Sequence, residues 1–161
     1  MTPSNRRASF FLAWGLCLFG AGCLGDGAAV SVRWRIAEQV TGALYDPRDI
    51  ADKAGTCCQP ISGQPRCSEL ATWRVSRVRV VLADPTTAAE IEVPGGLDAT
   101  CGARELTTPF TLPTGLFAIT LRAFDPTAPD LIQAESPSPA IRTLRKAEIV
   151  ELDVVALSVS R

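Results

Sequence analysis

Apolar and polar residues alternate in several short stretches of this chain, and turn-forming residues separate one stretch from the next. The first stretch, at 30–36, places Val30, Val32, Trp34 and Ile36 on one side and polar residues on the other. Alternation with a period of two predicts a half-buried strand, and turn signals recur about every ten residues. No long amphipathic helix is visible. The pattern predicts an all-β chain of roughly seven to nine strands, folded as an antiparallel β-sandwich.

The remaining strands are expected at 73–82, 89–93, 110–112, 116–124, 131–135, 140–144 and 147–159. In the first of these the apolar parity switches at Ser76–Arg77, which predicts a β-bulge. The last strand is expected to turn one face to the core, with Val150, Leu152, Val154 and Ala156 on it. A core shared between strands is predicted for Val78, Val80, Phe117, Ile119 and Leu152.

One short helix interrupts the strands. Asp46 is suited to an N-cap, Pro47 to the first helical position and Gly55 to the residue past the end. This arrangement predicts one or two helical turns at 47–54.

The N-terminus has the features of an export signal. Arg6 and Arg7 precede an apolar run, FFLAWGLCLFGA, and the small residues GAG then precede Cys23. The run has about a dozen residues, whereas a membrane-spanning helix needs about 20. A cysteine behind such a run resembles a bacterial lipoprotein signal, although Gly20 stands where that signal usually has Leu. The resemblance implies removal of residues 1–22, a lipid such as palmitate on Cys23, and outer-membrane sorting because Leu24 follows.

This interpretation divides the chain into a signal peptide at 1–22, a lipid-anchored tether at 23–29 and a β-sandwich domain at 30–161. The alternative is ordinary secretion, with cleavage after Ala29, because Gly27 and Ala29 are small enough for a cleavage site.

Four of the six cysteines lie beyond Cys23, and an even number in an exported chain predicts two disulfides. A bond between neighbours Cys57 and Cys58 would be strained, because adjacent α-carbons are only about 3.8 Å apart. One of that pair is therefore expected to bond Cys67 and the other Cys101, and the choice stays open. With three cysteines in 56–68, this stretch is expected to be a disulfide-stapled loop. Zinc is disfavoured, since two-residue spacing between cysteines is absent.

Two segments carry a wider resemblance. FTLPTGLFAITLRAFD, with its Pro-x-Gly turn, resembles a hairpin of immunoglobulin-like and transthyretin-like sandwiches in bacterial envelope proteins, and KAEIVELDVV is similar to their closing strand. With its N-terminus, the chain resembles small sandwich lipoproteins of high-GC bacteria such as the myxobacteria. The resemblance implies an envelope role and transfers no catalytic residue.

The chain contains no histidine, which excludes Ser-His-Asp and Cys-His mechanisms and histidine metal ligation. Its net charge is −1 with no clustering by sign, so nucleic acid is not an expected partner. We expect no enzyme activity, catalytic residue, metal or cofactor. The expected function is a structural or partner-binding envelope module, with an envelope protein or glycan as partner. The alternatives are a small secreted enzyme that uses carboxylates, and an accessory subunit of a secretion or adhesion assembly.

Four weaker candidate sites each have a plainer structural explanation. Calcium binding would use Asp125, Asp130 and Glu135, but a solvated turn is favoured. An anion-binding stripe would use Arg33, Arg35, Arg74, Arg77 and Arg79, but a polar face paired with glutamates is favoured. Sugar stacking would use Trp34 and Trp73, but core packing is favoured. Glycoside hydrolysis would use Glu90 and Glu92, but nothing indicates a cleft between them.

Overall fold

The computed structural model describes residues 26–93, 95, 97–128 and 131–159. These residues form thirteen strands, one short α-helix and one turn of 3-10 helix at Cys101–Ala103. The elements in chain order are β1 (Ala29–Glu38), β2 (Leu44–Tyr45), α1 (Pro47–Ile50), β3 (Cys57–Cys58), β4 (Arg74–Val75), β5 (Arg77–Ala83), β6 (Glu90–Ile91), β7 (Asp98–Thr100), β8 (Glu105–Thr107), β9 (Gly115–Phe124), β10 (Ile132–Glu135), β11 (Ala140–Leu144), β12 (Ile149–Glu151) and β13 (Val155–Val159).

Two sheets enclose the core, and the all-β sandwich prediction is confirmed. Sheet 1 is built on β1, which pairs with β12 and β13 on one edge and with β8 and β2 on the other. Sheet 2 is built on the antiparallel pair of β5 and β9, flanked by β6 and β7 beyond β5 and by β10 and β11 beyond β9. A third, two-stranded sheet joins β3 and β4.

The alternating residues fill the space between the two sheets. Val30, Val32, Trp34 and Ile36 of β1 are each at most 1% exposed. The residues for which a shared core was predicted all belong to one buried cluster: Val78, Val80, Phe117, Ile119 and Leu152. Full burial of a side chain of this size stabilises a fold by about 1.5–3 kcal/mol, so these residues hold the sheets face to face.

The closing segment differs from the prediction in direction and in facing. β12 and β13 run parallel to β1, so sheet 1 is mixed, whereas sheet 2 is antiparallel. Ser31 of β1 pairs with Glu151, and Trp34 pairs with Val155. Between these two pairs β1 advances by three residues and the closing segment by four. The extra residue reverses the parity, because successive side chains of a strand point to opposite faces.

The expected facing is therefore wrong beyond Leu152. Val154 is 56% exposed, whereas Leu157 and Val159 are fully buried. The predicted single strand at 147–159 is two strands for the same reason.

Three shorter elements also differ from expectation. The bulge predicted at Ser76–Arg77 is a break between β4 and β5, because the chain leaves β3 there and joins β9: the Ser76 N–H donates to the Phe124 carbonyl at 2.9 Å. In place of the strand expected at 110–112 there is a turn, with Leu112 in a single bridge to Ala28. The strand count exceeds nine because 73–82 and 147–159 each contain two strands, and because β2, β3, β7 and β8, with two or three residues each, are too short to predict from alternation.

The helix is capped as predicted but is shorter than 47–54. The Asp46 carboxylate accepts from the Arg48 N–H at 3.1 Å, and Pro47 opens the helix. The helix ends at Ile50, because Ala51 then pairs with Cys57 in an isolated bridge. Gly55, at φ +84°, makes the intervening turn, where a residue with a side chain would be strained and would meet Thr100.

Candidate functional site

The predicted disulfide loop lies at one end of the sandwich and is bonded in two places. Cys57 is joined to Cys101, and Cys58 to Cys67, which is one of the two arrangements that the sequence left open. We call residues 38–76 and 100–104 the disulfide-bonded end. The Cys57–Cys101 bond connects this segment to sheet 1, since the Trp34 indole N–H donates to the Cys101 carbonyl at 3.0 Å.

An ion pair adds a second connection at this end. Arg104 lies 3.0 Å from the Asp46 carboxylate that caps α1. Burial raises the pKa of Asp46, but hydrogen bonds from Arg48 and Arg104 outweigh burial and hold it below its usual value. The cap therefore stays ionised, which suits a helix N-terminus.

A buried glutamate at the end of β1 forms a network that the sequence analysis missed. Glu38 is 3% exposed and accepts from the Thr41 hydroxyl at 2.6 Å and the Gln59 amide at 2.8 Å. The Gln59 carbonyl oxygen in turn accepts from the hydroxyl and N–H of Thr72. Burial and the Glu38 charge raise the pKa of the nearby Tyr45 hydroxyl. The sequence did contain a signal for this burial. Glu38 follows Val30 to Ile36 at the same two-residue spacing, which places it on the buried face of β1.

The two tryptophans belong to the core and not to a sugar-binding surface. Trp34 is fully buried and Trp73 is 1% exposed. The Trp73 ring packs against Tyr45, with ring centroids 6.3 Å apart. Neither face is accessible to a stacking ligand, so the plainer interpretation was correct.

The structure divides the predicted arginine stripe between separate surfaces. Arg33 and Arg35 alternate with the core residues of β1 and lie on the outer face of sheet 1. Arg77 and Arg79 lie on the outer face of sheet 2, on the opposite side of the sandwich. Arg74 of β4 donates to the Ser68 carbonyl at the disulfide-bonded end. The five arginines therefore do not form one surface.

On sheet 2 the arginines are part of a charge-balanced row. Asp98, Arg79, Arg122 and Glu135 are cross-strand neighbours on β7, β5, β9 and β10 in that order. The two central arginines face each other, which alone is unfavourable, and each is paired outward with a carboxylate. Arg79 binds Asp98 through two contacts of 2.6 and 2.8 Å, and Arg122 lies 2.7 Å from Glu135.

Further contacts complete the row. Arg122 also pairs with Glu90, and Arg77 lies 3.6 Å from Asp98 with its guanidinium 4.6 Å from the Phe124 ring centre. The hydrogen bond from Arg79 holds the pKa of Asp98 below its usual value, against the opposing effect of burial. With three arginines facing three carboxylates, this surface offers no excess charge to an anionic ligand.

The carboxylate candidates are placed apart or already engaged. Asp125 accepts from the N–H and hydroxyl of Thr127 in a turn, Glu135 is paired with Arg122, and Asp130 lies outside the described residues. Within the described residues, no three acidic or cysteine side chains lie where they would hold a metal ion. Of the proposed hydrolytic pair, Glu90 is engaged by Arg122 and Glu92 is exposed.

A groove of about 360 Å³ lies between β5 and the segment joining β6 to β7. Its charged lining consists of Arg79, Asp98 and Glu90, which are members of the ion-paired row, and exposed Glu92. Three of the four charged side chains that line the groove are therefore already engaged in ion pairs.

The start of the domain differs from the predicted tether at 23–29. Cys23 lies outside the described residues. Ala28 and Ala29 are fully buried, and the Ala28 N–H donates to the Leu112 carbonyl at 2.9 Å. The Gly27 N–H donates to the Phe110 carbonyl, so residues 27–29 belong to the folded domain. Small residues are needed here, because a β-carbon on Gly27 would lie 2.4 Å from the Leu112 oxygen.

Comparison with known proteins gave no relative: neither a protein-family model, nor a curated protein, nor a solved structure matches this chain. In the part of the chain that the structure describes, no helix is both long enough and apolar enough to cross a membrane.

Proposed function

We propose that this chain is a non-enzymatic, lipid-anchored protein of the bacterial cell envelope, a disulfide-stabilised sandwich that serves a structural or partner-binding role. The lipid is carried by Cys23 and the location is the outer membrane. An envelope protein or a glycan is the partner, and neither a cofactor nor a nucleic acid is involved.

The observation that carries the proposal is where the chain joins the described fold, at residues 27–29 just before and at the start of β1. Cleavage before Cys23 keeps all the described residues of the fold, among which Gly27 is the first to join it by a backbone hydrogen bond. The alternative cleavage after Ala29 would remove Ala28 and Ala29, which are fully buried, together with the bridge from Ala28 to Leu112. A mature protein that starts at Val30 would lose these contacts.

Two further features support an exported binding module and not an enzyme. Disulfides persist in oxidising compartments outside the cytosol. The carboxylates Asp98, Glu90 and Glu135 are held by arginines, which suits a structural surface and not general acid–base chemistry.

Lipidation is tested by expressing the full chain in a Gram-negative host with a palmitate label. We expect label in the protein and an acylated Cys23 in the mass spectrum of the mature N-terminus. Cys23→Ser should abolish both, while the matched control Cys17→Ser should leave both unchanged. A mature chain that begins at Val30 without acyl mass would contradict the proposal.

A further inference from the structure

We propose that the anchored domain stands on the bilayer in one orientation, with the end where the chain enters the fold against the lipid headgroups and the disulfide-bonded end pointing away. This inference rests on the proposed lipidation of Cys23. It assigns the membrane surface itself as the partner of a specific end of the sandwich.

The entry end is formed by three segments that the structure holds together. They are residues 26–28, 108–114 and 145–148. The Gly27 N–H donates to the Phe110 carbonyl, and the Ala147 N–H donates to the Gly27 carbonyl. The Lys146 ammonium lies 2.7 Å from the Asp26 carboxylate. The first described residues are thus fixed to both chain crossings between the sheets at this end.

The length of chain between lipid and fold determines how far the domain can move. Asp26 follows Cys23 by three residues, which span roughly 10 Å when fully extended. Because the Gly27 backbone is hydrogen-bonded into the fold, the connection between the lipid and the fold cannot extend beyond this residue. So short a connection keeps the entry end at the headgroups and prevents the domain from tumbling freely.

The opposite end lies a strand length away. β1 runs from Ala29 to Glu38, ten residues that span about 33 Å, and Glu38 contacts Gln59 of the disulfide-bonded end. The exposed apolar side chains of that end, Val40, Leu44 and Leu70, would then be presented away from the bilayer. The entry end carries both signs of charge, Asp26 and Glu148 with Arg145 and Lys146, so the short connection and not charge attraction sets the orientation.

Energy transfer to a lipid acceptor tests the orientation in the full, lipidated chain. A fluorescent donor is attached through an azide-bearing residue at exposed Thr114 of the entry end or, in a second protein, at exposed Gln64 of the disulfide-bonded end. Each is reconstituted into phosphatidylethanolamine–phosphatidylglycerol vesicles that contain a headgroup-labelled acceptor. We expect the donor at 114 to lose most of its emission and the donor at 64 to keep most of it.

A flexible insertion is the matched control. Twenty Gly/Ser residues placed between Leu24 and Gly25 add a reach of roughly 25 Å, so the difference between the two donors should shrink markedly. Equal transfer from both donors in protein shown by mass to be acylated would overturn the orientation and leave the proposed function intact. Absence of the acyl group would reject the proposed function, and the orientation with it.

Discussion

The entry end and the disulfide-bonded end are held by different physical means. At the entry end, small buried residues let two backbones approach closely, and hydrogen bonds from Gly27 and Ala28 fasten the first strand. At the other end, residues 46–76 contain one helical turn and two strands of two residues each. With so little regular structure, this end has few backbone hydrogen bonds between strands. The two disulfides therefore supply stabilisation that such hydrogen bonds provide elsewhere.

The two ends differ in how far burial of apolar side chains alone stabilises them. β1, β5 and β9 bury a continuous apolar face and need no cross-link. The segment between β2 and β5 is rich in Gly, Pro and polar residues, and its ordering costs conformational entropy that its small share of the core offsets poorly. Disulfides lower that cost by restricting the unfolded chain.

Removal of the long-range disulfide should have the largest effect. Its partners are 44 residues apart, against nine for Cys58–Cys67. In the chain-entropy model these separations correspond to about 4 and about 2.5 kcal/mol. Urea unfolding of Cys57→Ala/Cys101→Ala should show the larger loss, with Cys58→Ala/Cys67→Ala as the matched control. Equal losses would mean that loop length does not govern the stability of this end.

A substitution at Gly27 tests the entry end. In Gly27→Ala the new β-carbon would meet the Leu112 carbonyl oxygen at 2.4 Å, so the backbone must shift. We expect a loss of about 1–3 kcal/mol. Hydrogen exchange should accelerate at the amides of Ala28 and Ala29 before it does at Cys101. The control Asp26→Ala, at a side chain 97% exposed, should change stability by less than about 0.5 kcal/mol. Uniform acceleration across both ends would contradict separate support.

Glu38 connects β1 to the disulfide-bonded end without a covalent bond. Glu38→Ala removes the charged acceptor of exposed Thr41 and half-buried Gln59, and loss of hydrogen bonds to a charged group should cost about 1–2 kcal/mol. Glu38→Gln keeps an acceptor oxygen and should cost less. Thermal unfolding measures the loss, and limited proteolysis should show new cleavage within 59–72. Exposed Glu92→Ala is the control. A variant as stable as the parent would show that the network is dispensable.

The sequence was informative where one face of a strand is buried along its length. Val30 to Ile36 alternate without interruption and Phe117 to Ala123 alternate except at small Ala118, so their facing followed directly. The same reasoning failed for the closing segment, because a single extra residue between Glu151 and Val155 reverses which side chains face the core. Its register depends on β1, which is more than a hundred residues away, and local alternation carries no information on it.

The candidate sites show the same limit. Arg33, Arg35, Arg77 and Arg79 have the same local pattern, yet they lie on opposite outer faces because β1 and β5 belong to different sheets. The pairing of Arg122 was missed, since its partners Glu90 and Glu135 come from strands 32 and 13 residues away. The cysteine pairing could be narrowed to two arrangements but not chosen, because the choice depends on which of Cys57 and Cys58 faces Cys101.

The smallest expected effect belongs to the ion-paired row between the two ends. The hydrogen bond from Arg79 lowers the pKa of Asp98 in the folded state, so Asp98 stabilises the fold above its unfolded pKa of about 3.9. That contribution is lost as the pH falls through the lower folded-state pKa. It should stay below about 1 kcal/mol, since the Asp98 side chain is 35% exposed. The difference in unfolding free energy between the parent and Asp98→Asn should therefore be present at neutral pH and shrink in acid. Arg79→Gln should remove the same pH-dependent part, and a difference constant from neutral pH to below 3 would show that the Arg79–Asp98 pair does not stabilise the fold through its charge.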